Sequence, residues 1–153
     1  MDDDCGDVLS VAGWGLKVIA LPPEAALVLW KDCAPELARA IEQHPAEWFE
    51  SLEEMRESVA TGERMLIQVL EAGEVLAVAL VEFQELRDGK CLHVRYLGGH
   101  RMDEWLDEMH ARLGEIGRAY GCKWVGMIGR YGWKRALSEL GWRTVAITMR
   151  AEL

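Results

Sequence analysis

Two glycine-bearing turn signals constrain this chain more than any other feature. Ala72-Gly73 and Asp88-Gly89 divide residues 65–97 into three runs, Met65 to Leu70, Val75 to Glu85 and Lys90 to Leu97, each rich in apolar and β-branched residues. Connections this short join strands that run in opposite directions, so the spacing predicts a three-strand antiparallel meander. A sheet of that kind must cover its apolar face, and the flanking residues are patterned to do so.

Upstream, Leu16 to Leu21 reads as a strand that Pro22-Pro23 ends, with Pro23 presetting a helix start. From Glu24, Leu27, Trp30, Leu37 and Ile41 recur at helical intervals, and Pro35 is expected to kink that helix or begin a second one. His44-Pro45 punctuates, and Trp48, Leu52, Met55 and Val59 mark a further helix stopped by Thr61-Gly62. Downstream, Trp105, Leu106, Met109, Leu113 and Ile116 form one stripe of a long helix over Met102 to Tyr120, with Asp103 and Glu104 in its first turn and Gly121 past its end. Cys122 to Ile128 is then a strand, Gly132 to Leu140 a short helix and Trp142 to Arg150 a final strand.

The 153 residues, half of them hydrophobic and 28% charged, suit one domain around one core, here 16–153. Residues 1–15, acidic and then broken by Gly6, Gly13 and Gly15, read as a flexible arm. The net charge of -9 opposes nucleic acid and anionic lipid as partners. No apolar run reaches the ~20 residues that span a bilayer, and the Met-Asp-Asp-Asp start is unlike a signal peptide, so the expected location is a cytoplasm. Cys5, Cys33, Cys91 and Cys122 fall at no zinc or redox spacing, no histidine has clustered acidic or thiol neighbours, and no metal is indicated.

The predicted order is β-α-α-β-β-β-α-β-α-β, an α+β arrangement with a mixed, mainly antiparallel sheet flanked by helices. This order resembles the GNAT (N-acetyltransferase-like) superfamily. The resemblance implies a cleft where the meander's last strand and the strand after the long helix splay apart, with acetyl-CoA as the cofactor it would hold. A second likeness is local. Gly129 to Trp142, reading GRYGWKRALSELGW, together with Ala119 to Cys122, Leu97-Gly98-Gly99 and Leu21-Pro22-Pro23, resembles small GNAT-fold proteins of tailed bacteriophages and prophages. Those proteins commonly have unknown activity and accompany virion structural genes, which implies a host cytoplasm or virion location.

In active GNAT enzymes the turn after the fourth strand carries Arg or Gln, two residues, Gly, one residue, then Gly or Ala. Such a turn lets backbone N–H groups and a helix N-terminus converge on a pyrophosphate. The overlay here is Arg95, Gly98, Gly99 and His100, with Arg101 following, and His100 stands where a small residue is wanted. A tight connection with no ligand is the competing reading. Arg130, with Lys134 and Arg135, is the candidate partner of an adenosine 3'-phosphate, against a plain solvated helix. The tyrosine that often serves as general acid in such relatives is replaced by Leu137, and the asparagine near it by Arg130; Tyr131 is the substitute acid if the turn is rebuilt, and otherwise its different helical phase points it elsewhere. The general-base candidate is His93, with Glu82 and Glu85 on the preceding strand. Strand alternation places His93 with Cys91 and Arg95, opposite Leu92, Val94 and Tyr96, where it is equally read as solvent-exposed.

Most of the seven tryptophans lie on apolar stripes. Trp14 is an anchor on the arm or a residue folded back on the core. Two functions remain: a phage-type scaffold with a degenerate acyl-CoA loop, contacting phage structural or host proteins or a second copy of itself, and an acetyl-CoA-dependent N-acetyltransferase acting on an amine.

Overall fold

A computed structural model describes residues 15–44 and 50–153. The arm at 1–14, with Trp14, and Pro45 and Trp48 lie outside the described residues, as does the side chain of Tyr131.

The meander forms with the predicted turns. β2 (Arg64–Glu71), β3 (Glu74–Leu86) and β4 (Gly89–Gly99) pair antiparallel in succession, β1 (Leu16–Leu21) pairs antiparallel with β2, and β5 (Trp124–Met127) pairs parallel with β4. The sheet order is β1-β2-β3-β4-β5. Ala72 and Gly73, at φ 51° and 83°, are a two-residue loop with both φ positive, which matches the twist of the strands it joins.

Before the meander come α1 (Pro23–Val28), α2 (Trp30–Gln43) and α3 (Leu52–Ala60). The break between the first two falls at Leu29, not at Pro35, which sits inside α2. Proline there, the sixth residue of α2, forgoes one ladder bond to the Lys31 carbonyl, and the helix continues through it. Ser51 caps α3 reciprocally with Glu54, the Ser51 hydroxyl accepting from the Glu54 N–H and the Glu54 carboxylate from the Ser51 N–H.

After the meander, α4 (Met102–Ala119) covers one face of the sheet, where Trp105, Met109, Leu113 and Ile116 pack on Ile67, Ala79, Val81, Leu92 and Val94. Residues of α1, α2 and α3 cover the other face, with Leu37, Met55 and Val59 against Leu66, Leu80 and Tyr96. The result is a mixed α+β molecule with one five-strand open sheet between two helical layers. Among the described residues no helix is long and apolar enough to cross a membrane.

Beyond β5 lies α5 (Tyr131–Ser138) and then a departure from expectation. No strand forms at Trp142 to Arg150; residues 143–153 run as an exposed segment without a ladder. Val145, Ile147 and Met149 alternate as a strand's apolar face should, yet they are 84%, 76% and 88% exposed. Alternation supplies only a face, whereas a strand also needs an edge to bond, and within the described chain this segment meets none.

Candidate active cleft

The cleft follows from one extra residue in β4. Leu80 of β3 stands opposite Tyr96, but the next residue, Val81, stands opposite Val94, so Arg95 is the additional residue of a β-bulge. The parallel pairing of β4 with β5 ends one residue earlier, at Val94 and Met127. Past that point the strands separate. The gap is an open cleft lined by Ala40, His44, Arg95, Tyr96, Ile128 and Arg130 among others.

The bulge also overturns the simple alternation along β4. Leu92 and Val94 face α4, while Tyr96, one step out of phase, faces α2 and α3. His93 is correspondingly not solvent-exposed but buried, at 7% exposure, opposite Glu82 of β3. Burial lowers its pKa; the Glu82 charge opposes that change, and the Arg95 and His44 charges reinforce it.

Around it is a compact charge network. Arg64 donates to Glu50 and, through Nε at 3.0 Å, to Glu82. Arg95 lies 3.4 Å from Glu50 and 3.7 Å from Glu82, and the Tyr96 hydroxyl donates to Glu50 at 3.2 Å. Burial alone would raise the Glu82 carboxyl. The hydrogen bond from Gln84 and the charges of Arg64, Arg95 and His93 outweigh it, and the pKa falls below the ordinary carboxylate range. For Arg64 burial works against the charge, and Glu50 and Glu82 more than offset it. Two carboxylates thus face two guanidiniums.

His44 is the residue that sequence reasoning passed over. It ends α2 and reaches the cleft, its ring edge-on to Tyr96 with centroids 5.0 Å apart. Burial and the nearby Arg95 charge lower its pKa, partly opposed by backbone groups of Ile128 and Arg95. The imidazole is therefore held neutral where the strands part, a state in which it accepts a proton. Helical phase alone gave no sign of this, because the placement depends on where α2 stops relative to a bulge some fifty residues later.

The other end of the cleft is differently built. Gly98 and Gly99 lie within β4 and not in a free turn. A Cβ on Gly98 would stand 2.6 Å from the Glu36 carbonyl oxygen of α2, and one on Gly99 would stand 2.4 Å from Ala77 Cβ and 2.5 Å from the Leu76 oxygen. Close packing accounts for both glycines. The His100 N–H donates to the Leu76 oxygen at 2.9 Å, and its ring lies 3.7 Å from Glu36 and 3.5 Å from Glu74. Arg101, in the left-handed region at φ 60°, pairs with Glu71 at 2.5 Å and Glu104 at 2.6 Å.

On the opposite wall, Arg130 precedes α5, and it is exposed like Lys134 and Arg135. Leu137, in place of the tyrosine of active relatives, is buried at the edge of an apolar slot shared with Val94, Met109 and Trp142. Tyr131 begins α5. Glu85 is exposed toward the far end of β3, away from the cleft lining. Among the described residues no three His, Cys, Asp or Glu converge as a metal site.

Five strands in this order, splayed at a bulge and packed between helical layers, can be compared with solved structures. An aminoglycoside acetyltransferase from an uncultured soil metagenomic sample superposes with a TM-score of 0.67 at 17% identity, over 91% of this chain and 99% of that one. This is the GNAT fold. The aminoglycoside N-acetyltransferase AAC(6')-Iy in complex with CoA matches at 0.66 and 8% identity, over 91% of this chain and 95% of that one. A ribosomal-protein-alanine N-acetyltransferase from Brucella melitensis biovar Abortus matches at 0.66 and 10% identity, over 91% and 99%. By sequence the chain matches no protein-family model and no curated protein. Likeness at these identities carries the GNAT fold and, by itself, no substrate.

Proposed function

We propose that this GNAT-fold chain is an acetyl-CoA-dependent N-acyltransferase whose reacting atoms meet at the β4 bulge. The observation that carries the reading is the open cleft at Arg95 and Ile128 with a neutral imidazole, His44, on its wall. Acetyl-CoA would supply a thioester whose acyl carbon passes to an amine nitrogen as its C–S bond breaks and CoA leaves as the free thiol. An extended thiol arm would lie where β4 and β5 part, past Val94 and Met127.

His44 then takes the proton that the attacking amine must lose, since its lowered pKa keeps it unprotonated near neutrality. Tyr96, held to Glu50, fixes the adjacent wall. The net charge of -9 on the chain favours approach of a cationic acceptor. The phosphate end fits less well at the β4–α4 connection, where Arg101 is already paired and Gly98 and Gly99 are packed. The cations available there are Arg130, Lys134 and Arg135 on the other wall.

Calorimetric titration of acetyl-CoA, followed by a thiol-release assay on a panel of amines, tests this. Saturable binding is expected, at least about tenfold weaker in Arg130→Glu, a substitution of an exposed residue. His44→Gln should keep binding and lose transfer by about a hundredfold or more. Absence of binding at millimolar acetyl-CoA would sink the proposal.

A second reading, favoured by the filled connection at Gly98 to Arg101 and by Leu137, is that the fold acts through protein contacts without catalysis. The likeness of residues 129–142 to tailed-phage proteins gives this reading a setting, as a virion-associated, assembly or host-directed component. The titration separates the two, and mass spectrometry of purified particles tests the second directly.

A further inference from the structure

A second hollow adjoins the cleft, between α4 and α5. Leu97 of β4, Leu106 and Leu113 of α4, Met127 of β5 and Leu137 of α5 wall it. Leu97 and Met127 also line the open cleft, so the two hollows share a boundary. Met127 stands opposite Val94 in the last pair of the β4–β5 ladder, and Val94 lines the slot as well, so the slot begins where the strands start to part. Among the described residues the polar side chains on its wall are His110 and Trp142, and they are turned on each other, the indole N–H donating to His110 Nδ1 at 3.0 Å. No carboxylate, ammonium or guanidinium of the described residues reaches this lining.

The geometry points to this slot as the seat of a short aliphatic acyl chain longer than acetyl, such as propionyl or butyryl, carried on the donor thioester. The inference deepens the acyl-transfer reading and rests on it. Two features choose this occupant. The slot joins the cleft at Leu97 and Met127, beside the place where the strands part, so a chain attached to a thioester there enters the slot without leaving the donor. Its walls of valine, leucine and methionine gain from each methylene taken out of water, roughly fourfold in affinity per group, whereas the carboxylate of a succinyl group would be buried there without a partner. Met109 and Met127, unbranched and flexible, adjust to chains of slightly different length. Buried Met109 and Leu113 of α4 close the slot on the helix side, which keeps the chain short. The bonds exchanged are those of the acetyl case: the amine nitrogen joins the acyl carbon, the C–S bond breaks, and the proton given up by the amine passes through His44 and ends on the departing thiol.

Calorimetric titration of the full chain with acetyl-CoA, butyryl-CoA and succinyl-CoA reads the slot without turnover. Butyryl-CoA is expected to bind about tenfold more tightly than acetyl-CoA, and succinyl-CoA no more tightly than acetyl-CoA. The kcat/KM values from thiol release should rank the three donors in the same order. Leu137→Phe and Leu106→Phe narrow the slot from α5 and from α4, and each should bring the ratio of butyryl-CoA to acetyl-CoA affinity back to about one. Leu137 is buried and Leu106 only half-buried, so the second variant keeps its fold if the first does not, as melting curves will show. In a chain that binds acetyl-CoA, butyryl-CoA binding no better than acetyl-CoA overturns this inference alone. A preference for succinyl-CoA does so too, as does a butyryl advantage that survives both substitutions. A chain that binds none of the three overturns it together with the acyl-transfer reading.

Discussion

The two ends of the cleft are built on opposite plans. At the bulge, polar side chains are gathered inward: Glu50, Arg64, Glu82 and Arg95 satisfy one another, with His93 and Tyr96 against them and His44 at the opening. At the Gly98 to Arg101 end, the backbone is used up in packing and the cations are tied to surface glutamates. The difference teaches where this chain gathers titratable groups: they collect round the opening at one end, whereas the Gly98 to Arg101 connection at the other is a structural joint.

The sharpest way to break that comparison is to remove one cation from each end. Arg64→Met strands Glu50 and Glu82 half-neutralised in a mostly buried setting, and is expected to cost about 3 kcal/mol, read as a fall in Tm or in the denaturant midpoint. Arg101→Met breaks pairs that water already screens, and should leave Tm within experimental error. Equal effects at both ends would erase the distinction.

Next in size are the glycines. Gly99→Ala forces a methyl to within 2.4 Å of Ala77 Cβ and against the Leu76 carbonyl, where neither side can retreat, and about 1–3 kcal/mol of stability should be lost. Gly98→Ala meets the Glu36 carbonyl at 2.6 Å and belongs to the same range. If instead these residues form an anion-binding turn, the substitutions would weaken acetyl-CoA binding while leaving chemical denaturation unchanged. That pattern would return the joint to the role its sequence suggests.

Sequence and structure agree where local signals are complete. The meander was legible because two turns and three apolar runs each fix strand direction, and α4 was legible because Trp105, Met109, Leu113 and Ile116 hold one helical phase. The cleft's interior was not, because a bulge is a mismatch between strands and leaves no mark in β4 alone. One skipped partner reversed the side on which Tyr96 lies relative to Val94. Periodicity placed His93 on one face of β4 and gave no sign of its burial. The strand expected at Trp142 to Arg150 fails for the complementary reason: its alternation is intact, yet among the described residues it joins no ladder.

The smallest expected effect is one of pH, and it separates the two ends without altering any backbone. His44 and His93 have pKa values lowered by folding, so as pH falls below the ordinary histidine value of about 6.5 the unfolded chain binds protons first and stability declines. Glu82, also lowered, stabilises fully above the ordinary carboxylate range, and that contribution is lost on further acidification through its folded pKa. Stability should therefore fall in two stages, first in the histidine window and then in the carboxylate window. Denaturation midpoints measured from pH 8 downward check this. His44→Gln should flatten the first stage and leave the second, whereas His93→Gln should flatten the first and also reduce the second, because the His93 charge is among those that lower Glu82. A first stage that persists in the His44→Gln, His93→Gln double variant would mean that the acid sensitivity arises elsewhere, and the contrast between an inward-facing bulge and an inert joint would lose its electrostatic basis.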